Sequence, residues 1–251
     1  MFKLTPNVLA GPVLALALAT PAAALDLTNM SDAEREILRE EIREYLLDNP
    51  EVIMEAVSIL EQRDAVAQAR ADENLVASHA EAIFNDDHSW NGGNLEGDIT
   101  LVEFIDYRCG FCRRAAPEVE ELVSGDGNIR IVVKEFPILG EQSLLASRFA
   151  ISTLQTEGDE AYKAVHDALI SFDGDITERS LRRLGNALGL DGDAIVDGMK
   201  SPDVNDVIAQ NHQLGRALQI NGTPSFVMEN RLLRGFLPLD QMRELAADLR
   251  Q

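Results

Sequence analysis

The stretch that decides the fold is Val102-Glu103-Phe104-Ile105-Asp106-Tyr107-Arg108-Cys109-Gly110-Phe111-Cys112, in which an apolar run leads directly into two cysteines. Residues 99–106 are apolar on both faces, which is typical of a central parallel strand. The sequence then predicts a helix from about residue 112 to residue 123. The cysteine pair is therefore predicted to lie where a strand gives way to a helix.

A thiol at the start of a helix lies next to unpaired backbone amides and the positive end of the helix dipole. In Cys-x-x-Cys motifs this setting lowers a thiol pKa from about 8.5 into a range of roughly 3.5–7.5. The thiolate is the species that attacks a disulfide, so Cys109 is the candidate nucleophile. Cys112, one turn later, is expected to be less exposed and to resolve the mixed disulfide with a substrate. Gly110 keeps the approach open, and Phe111 offers an apolar contact surface.

Other uses of the cysteine pair fit the sequence less well. A zinc site needs two further ligands, but the chain has two cysteines in all, and its histidines show no paired ligand spacing: His79, His88, His166 and His212. An inert disulfide between Cys109 and Cys112 closes a very small loop and stabilises little. The spacing favours redox chemistry, with a structural or metal-binding use as the alternative. No metal site and no cofactor are predicted.

Glu103 is an acidic residue in an apolar strand. It shares a face with Leu101 and Ile105, where an unpaired carboxylate is costly and carries a raised pKa. Six residues before Cys109, it could exchange protons with the buried sulfur of Cys112. The alternative is a structural ion pair with Lys134 on the second strand.

Downstream of the cysteines the pattern predicts an α/β domain. A second strand covers residues 129–136, and strands at 225–228 and 231–235 form a predicted hairpin. Between them lie predicted helices over 141–155, 159–170, 177–188, 191–199 and 204–218, and a last helix covers 239–249. The glycine-containing segment 85–98 is predicted to be a loop and to mark a domain boundary.

Residues 31–85 are predicted to be helical. Ser31 and Glu34 fit a capping box, and Pro50 separates two helices that each have one apolar face. Such faces need a partner, either the main domain or a second copy of the chain. The segment 62–80, rich in alanine and charged residues, is typical of a helical spacer, which favours self-association through residues 31–80 over packing on the chain's own domain.

The first residues are typical of a secretory signal peptide. Lys3 provides a positive charge, residues 8–19 are almost wholly apolar, and the small residues up to Ala24 suit cleavage after that position. No second apolar run of membrane length follows, so we expect an exported, soluble protein after removal of residues 1–24. The formal net charge of −21 repels nucleic acid and anionic membranes, and neither is expected as a partner.

Three segments together resemble the DsbA family of the thioredoxin-like fold. They are residues 102–112, Val133-Lys134-Glu135-Phe136-Pro137-Ile138-Leu139-Gly140, and Gly222-Thr223-Pro224-Ser225-Phe226. The resemblance implies a thioredoxin-like domain over residues 86–251 with a large helical insert at about 141–218.

The leading segment, residues 25–85, carries a second resemblance. Its stretch 42–52 is similar to the N-terminal domain of ScsC-like proteins, which are linked to copper tolerance. Some ScsC-like relatives form oligomers through these helices, and others are monomers. The resemblance implies self-association through residues 31–80 as one outcome.

The DsbA resemblance also implies roles for individual residues. Cys109 is then the nucleophile, Cys112 the resolving thiol and Glu103 the buried acid. Pro224 is then a cis proline that faces the cysteines and presents the backbone of Thr223 to an extended substrate. Thr223 and Phe111 are thus candidate substrate-binding residues.

The chain departs from the DsbA pattern between the cysteines. Strongly oxidising DsbA enzymes carry a Pro-His pair there, whereas this chain has Gly110 and Phe111. Without the histidine, the reduced state should be less favoured and the protein a milder oxidant. This slightly favours isomerase or reductase work over net oxidation.

The predicted function is that of a periplasmic thiol–disulfide oxidoreductase that acts on exported proteins. An isomerase needs a membrane-bound reductant to keep Cys109 reduced, and an oxidase needs a membrane-bound oxidant. The alternative is a protein that binds copper(I) between the thiolates of Cys109 and Cys112.

Overall fold

A computed structural model of the chain describes residues 29–251. The predicted signal peptide, residues 1–24, lies outside this range. The chain divides between Leu60 and Glu61 into two units. The predicted domain boundary at residue 86 lies further along the chain and stays a prediction.

The described residues form ten helices and five strands. The helices are α1 Asp32–Asp48, α2 Glu51–Ser78, α3 Ala80–Phe84, α4 Gly110–Asp126, α5 Glu141–Glu157, α6 Asp159–Ile170, α7 Glu178–Ala187, α8 Gly192–Gly198, α9 Pro202–Ala217 and α10 Leu239–Leu249. The strands are β1 Trp90–Gly93, β2 Ile99–Ile105, β3 Ile129–Glu135, β4 Ser225–Met228 and β5 Arg231–Arg234. The predicted helices and the four predicted strands are confirmed, apart from shifts at their ends.

The strands form a single sheet in the order β1-β3-β2-β4-β5. Strands β2 and β3 are parallel, and the other three pairings are antiparallel. Helix α4 connects β2 to β3, as a parallel pair requires. The motif that begins in β2 therefore starts at the centre of the sheet.

Both faces of the central strand are covered. Leu101 and Ile105 join one apolar cluster, which also contains residues of α4, α5 and α6. Val102 and Phe104 join a second cluster on the opposite face, with Ile83 of α3. This alternation explains why β2 is apolar on both sides.

The segment between β3 and β4 consists of helices α5 to α9, which confirms the predicted helical insert at about 141–218. Phe149 of α5, Tyr162 of α6 and Leu181 of α7 are buried in the same cluster as the α4 face of the sheet. The insert therefore forms part of the wall around the cysteine helix.

The helices before the sheet differ in burial. Helix α1 begins with the predicted capping box, because the amide of Ser31 donates to Glu34 Oε2 at 2.8 Å and the amide of Glu34 donates to Ser31 Oγ at 3.4 Å. None of its residues is buried. The end of α2 is different: Val76 is buried, and Asp72 accepts two hydrogen bonds from Arg234 of β5. The end of the predicted spacer is thus packed against the sheet.

Strand β1 was not predicted, since residues 85–98 have the composition of a loop. It is an edge strand that pairs antiparallel with β3, and the indole of Trp90 donates to the carbonyl of Asp159 at 3.1 Å. Gly93 has a φ of +68°, and a Cβ there would lie 2.4 Å from the carbonyl oxygen of Ile129. The glycines that indicate a loop thus permit close approach to β3. None of the described helices is long and apolar enough to cross a membrane.

Candidate active site

Cys109 occupies the N-cap of helix α4, with an extended backbone (φ −76°, ψ 119°). Its amide donates to the carbonyl of Asp106 at 3.0 Å, and its carbonyl accepts the first helical hydrogen bond from Arg113 at 3.1 Å. The predicted position of Cys109 at the helix N-terminus is confirmed. Its sulfur consequently lies beside the unpaired amides of the first helical turn.

The two thiols are free and differ in exposure. Cys109 keeps an exposed fraction of 7%, whereas Cys112 has none. Burial is the largest cause that raises the pKa of the Cys112 thiol far above its ordinary value, and the charge of Glu103 adds to it. Cys112 therefore needs a nearby group to take its proton before it can attack.

The Thr223–Pro224 turn lies against the first cysteine. The peptide bond between these two residues is cis, as the resemblance implies. The thiol of Cys109 donates a hydrogen bond to the carbonyl of Thr223, with 3.1 Å between sulfur and oxygen. Strand β4 begins directly after the turn at Ser225 and pairs with β2, so the sheet itself brings the turn and the cysteine together.

Asp106 ties the cysteine turn to the loop after β3, a role that the sequence did not indicate. Its Oδ1 accepts from the amide of Arg108 at 2.8 Å. Its Oδ2 accepts from the amides of Ile138 at 2.8 Å and Leu139 at 3.0 Å. The side chains of Ile138, Leu139 and Phe111 are exposed. An apolar surface therefore lies on the two segments that Asp106 joins.

Glu103 is buried, with an exposed fraction of 2%. Its Oε1 has no hydrogen-bond partner among residues 29–251. Burial first, and then the charge of Glu135, raises its pKa to about 8. The alternative of an ion pair with Lys134 is wrong, because β2 and β3 align Phe104 with Lys134 and place that lysine on the opposite face.

Lys134 has other partners. Its ammonium donates to the carbonyl of Ala82 at 2.9 Å and forms an ion pair with Asp86. Ala82 lies in α3, and Asp86 lies in the segment that joins α3 to β1. The lysine therefore fastens this segment to the sheet, on the face away from the cysteines.

Glu135 is a second buried carboxylate, which the sequence reasoning missed. Its Oε1 accepts hydrogen bonds from the hydroxyls of Tyr107 and Tyr162, each at 2.7 Å, and Oε2 has no partner among the described residues. Burial raises its pKa to about 7, against the effect of the tyrosine hydroxyls. The Tyr107 hydroxyl also lies 3.1 Å from Nδ1 of His166, whose pKa burial lowers to about 4.

A cleft of about 870 Å³ opens between α4, α6 and the sheet. Glu103 and His166 line it, together with four charged side chains of the two helices: Arg113, Glu120, Lys163 and Asp167. No cluster of three or more metal-ligating side chains occurs within residues 29–251. The arrangement offers two thiols and buried acids, which is suited to electron and proton exchange.

Comparison with family models gives two matches. Residues 100–247 match the DSBA-like thioredoxin domain, and residues 34–67 match the N-terminal domain of the copper resistance protein ScsC. The first match spans more than half of the chain and contains both cysteines and the Thr223–Pro224 turn.

Solved structures agree with this assignment. A thioredoxin-like oxidoreductase from Silicibacter pomeroyi DSS-3 is 41% identical, with a TM-score of 0.64 and 68% of this chain and 96% of that chain covered. The thiol–disulfide exchange protein α-DsbA2 from Wolbachia pipientis is 26% identical (TM-score 0.68, coverage 73% and 98%). Proteus mirabilis ScsC in a transitional conformation is also 26% identical (TM-score 0.61, coverage 87% and 98%).

Three curated relatives match, and all three are named as Na⁺/H⁺ antiporters of the NhaA type. The Na⁺/H⁺ antiporter NhaA 1 of Salinispora arenicola is 27% identical over 144 residues, which are 57% of this chain. The match spans only 22% of that antiporter. The likeness therefore concerns a part of the relative and carries no statement about ion transport.

Proposed function

Because the chain belongs to the family of DSBA-like thioredoxin domains, we propose that it exchanges disulfides with exported proteins, with Cys109 as the attacking thiol and Cys112 as the resolving thiol. The observation that carries the proposal is the hydrogen bond from the Cys109 thiol to the carbonyl of Thr223, beside cis Pro224. It holds the more accessible sulfur against a backbone segment that an extended substrate can pair with.

The reaction begins at Cys109. In the reducing direction its thiolate attacks a substrate disulfide, a new sulfur–sulfur bond forms, and the other substrate sulfur leaves as a thiolate. Cys112 then gives up its proton and attacks the Cys109 sulfur, which releases the second substrate thiolate. Two electrons have passed to the substrate, and the enzyme holds a Cys109–Cys112 disulfide. Oxidation of a substrate dithiol runs through the same steps in reverse.

Glu103 is the proposed proton acceptor for Cys112. It is buried on the α4 face of the sheet, its Oε1 has no partner within residues 29–251, and its charge raises the pKa of the Cys112 thiol. These properties suit a carboxyl group that exchanges a proton with a buried thiol. The proton can leave through the cleft that Glu103 lines.

Substrate contact is proposed at Thr223 and at the apolar surface around the cysteines. Phe111 is 59% exposed, and Ile138 and Leu139 are exposed on the neighbouring loop. Apolar side chains at the attacking sulfur favour polypeptides that are not yet folded, because these expose apolar segments near their cysteines.

Isomerase or reductase activity is the favoured direction. Gly110 and Phe111 place no charged side chain between the cysteines, so we expect a reduction potential nearer to the value of about −180 mV of protein disulfide isomerase than to the value of about −120 mV of DsbA. In this direction a membrane-bound reductase keeps Cys109 reduced. A potential near that of DsbA instead assigns the protein as an oxidase with a membrane-bound oxidant.

The periplasm is the proposed location. The support is the apolar run of residues 8–19, followed by small residues up to Ala24. A homo-oligomer through residues 31–80 is proposed as well. Many large apolar side chains of α1 and of the first half of α2 are exposed, among them Tyr45, Leu47, Met54 and Leu60. Contact with another copy would remove them from water.

The function is tested with disulfide-bonded insulin and scrambled ribonuclease as substrates. We expect the protein to catalyse insulin reduction by dithiothreitol and to recover ribonuclease activity. Cys109→Ser should abolish both activities, and Phe111→Ala should weaken both with the reduction potential little changed. Wild-type rates no faster than those of Cys109→Ser would contradict the proposal.

Copper(I) binding is a second candidate function, favoured by the match of residues 34–67 to a domain of a copper resistance protein. Two thiolates are soft ligands that select copper(I). Competition with a chromophoric copper(I) chelator measures this directly. One tightly held equivalent that is lost in Cys109→Ser, together with an absence of disulfide exchange, would support the copper role.

A further inference from the structure

Two buried carboxylates face the same side of the sheet. Strands β2 and β3 align Glu103 with Val133 and Ile105 with Glu135. Side chains two residues apart in a strand point to the same face, so Glu103 and Glu135 are diagonal neighbours on the face that packs against α4. Both are almost completely buried. Two buried like charges this close disfavour each other's ionisation.

The two carboxyl groups differ in the hydrogen bonds that they accept. Glu135 Oε1 accepts from the hydroxyls of Tyr107 and Tyr162, and both bonds favour its charged form. Oε1 of Glu103 has no donor within the described part of the chain. The negative charge is therefore better placed on Glu135 and the proton on Glu103.

We infer that Glu103 and Glu135 share one proton near neutral pH and that Glu135, which does not act on the sulfurs itself, sets how readily Glu103 accepts the proton of Cys112. Glu135 is in this scheme a positioning residue for the exchange reaction. The inference rests on the proposed function, since it concerns the proton that Cys112 must release. The raised pKa values of Glu103, about 8, and Glu135, about 7, have the order that the hydrogen bonds predict.

The proton balance is simple. When Cys112 attacks the Cys109 sulfur of a mixed disulfide, its proton passes to the carboxylate of Glu103, and the substrate leaves as a thiolate. In the reverse direction protonated Glu103 returns a proton to the Cys112 thiolate as it leaves. Charge on Glu135 raises the pKa of Glu103. The carboxylate of Glu103 is then a stronger base, but a smaller fraction of it is ionised at a given pH. The two carboxyls titrate as a pair.

Other ionisable groups surround the pair. Cys112 lies on α4, Tyr107 in the turn before it, and Tyr162 and His166 on α6. The cleft adds four charged side chains from α4 and α6: Arg113, Glu120, Lys163 and Asp167. Asp106 is a further buried acid, and its charge raises the pKa of Glu135. Burial is the largest cause of the raised pKa of Glu103, and among these groups the charge of Glu135 is the next largest.

The variant that tests the inference is Glu135→Gln in the reduced full-length chain. Glutamine keeps an oxygen that accepts from both tyrosines and removes the charge. Infrared spectra across a pH titration follow the carbonyl band of protonated carboxyls, which disappears on ionisation. We expect the wild type to retain a protonated carboxyl above about pH 7, and Glu103→Gln to lose it. In Glu135→Gln the Glu103 band should disappear at lower pH.

The second readout is the rate at which Cys112 resolves a preformed mixed disulfide between Cys109 and a peptide thiol. If removal of the like charge makes Glu103 about tenfold more acidic, Glu135→Gln should resolve it about threefold slower near pH 9, where Glu135 is charged in the wild type. Near pH 6, where Glu135 is mostly protonated already, the two rates should be nearly equal. A purely structural role would move the whole profile in one direction. In the Glu103→Gln background, Glu135→Gln should leave the profile unchanged.

Different results would overturn the shared proton and the proposed function. An unchanged Glu103 titration in Glu135→Gln overturns the shared proton, whatever the enzyme does to substrates. If Glu103 titrates at lower pH in Glu135→Gln as expected, but Cys109 forms no mixed disulfide with any substrate, the proposed function is overturned. The inference about the two carboxyls then still holds.

Discussion

At the scale of single residues, the site is built from groups that are costly to bury. Glu103 and Glu135 lie in a core of apolar side chains, and burial raises the pKa of each above the ordinary value of 4.5. An unfolded chain releases these protons near the ordinary value, whereas the folded chain keeps them to about pH 7 and 8. The folded state therefore binds more protons in between, and its stability falls as pH rises through this window.

This linkage predicts the behaviour of Glu103→Gln. Glutamine resembles the protonated acid, so the variant should match the wild type near pH 4.5 and become the more stable protein as pH rises to 8. The difference at pH 8 should be on the order of a few kcal/mol, because each pH unit of unequal proton binding contributes about 1.4 kcal/mol. Urea unfolding at a series of pH values measures it. Parallel stability curves for the two proteins would contradict the pKa of Glu103.

The sequence could predict some residues of the site and not others. Spacing identified Cys109 and Cys112, and an acid on an apolar strand face drew attention to Glu103. Glu135 gave no comparable signal, because its environment depends on Tyr162, which comes from the helical insert. Its hydrogen bonds arise only when α6 packs against the sheet.

At the scale of elements, the loop after β3 is held to the cysteine turn by Asp106. Its carboxylate accepts from three backbone amides, on Arg108, Ile138 and Leu139. A carboxylate in this position fixes the place of two exposed apolar residues relative to Cys109. The loop is therefore a part of the proposed substrate surface that one side chain orders.

Asp106→Ala should loosen this arrangement. Three amides would lose their acceptor, and a buried amide without a partner costs about 1–3 kcal/mol. We expect a lower free energy of unfolding, together with faster amide hydrogen exchange at Ile138 and Leu139. Asp106→Asn, which keeps two of the acceptor sites at most, serves as the milder variant. Unchanged exchange at both loop residues would show that Asp106 does not order the loop.

Most elements followed from local patterns, and the exceptions have physical reasons. Caps and apolar periodicity located the helices of the insert, and short apolar runs bounded by turns located the strands. Strand β1 was missed because its pairing with β3 comes from tertiary contact, which overrides the weak strand preference of Gly92 and Gly93. The buried end of α2 was missed because its few apolar residues, such as Val76, are enough for a short contact with the sheet.

At the scale of the whole molecule, the segment 61–85 belongs with the sheet. Ile83 is completely buried beside β2, and the carbonyls of Ala82 and Phe84 accept from Lys134 and Arg130. A protein that begins at residue 86 would keep the ion pair between Lys134 and Asp86, but it would lose the carbonyl acceptors of Ala82 and Phe84. Buried donors that lose their acceptors cost about 1–3 kcal/mol each.

Two truncations test this division. Removal of residues up to 60 should change the unfolding midpoint little. Removal up to residue 85 should lower the free energy of unfolding by several kcal/mol, roughly the sum of the lost burial of Ile83 and the lost carbonyl acceptors of Lys134 and Arg130. Equal stability of the two truncated proteins would show that residues 61–85 do not support the sheet.

The same truncation tests self-association. The apolar side chains exposed on α1 and the first half of α2 are absent from a protein that begins at residue 61. We expect sedimentation equilibrium to give an oligomer for the longer protein and a monomer for the truncated one. The longer protein that carries both Leu47→Glu and Met54→Glu should also be a monomer. A monomer in every case would contradict association through residues 31–80.

The central claim is that Cys109 attacks and Cys112 resolves. The most direct measurement is the capture of partner proteins by Cys112→Ser and by Cys109→Ser, each expressed as the full 251-residue chain and compared on non-reducing gels. We predict dithiothreitol-sensitive complexes for Cys112→Ser, in which the mixed disulfide has no resolving thiol, and none for Cys109→Ser. Complexes formed equally by both variants, or by neither, would contradict the account.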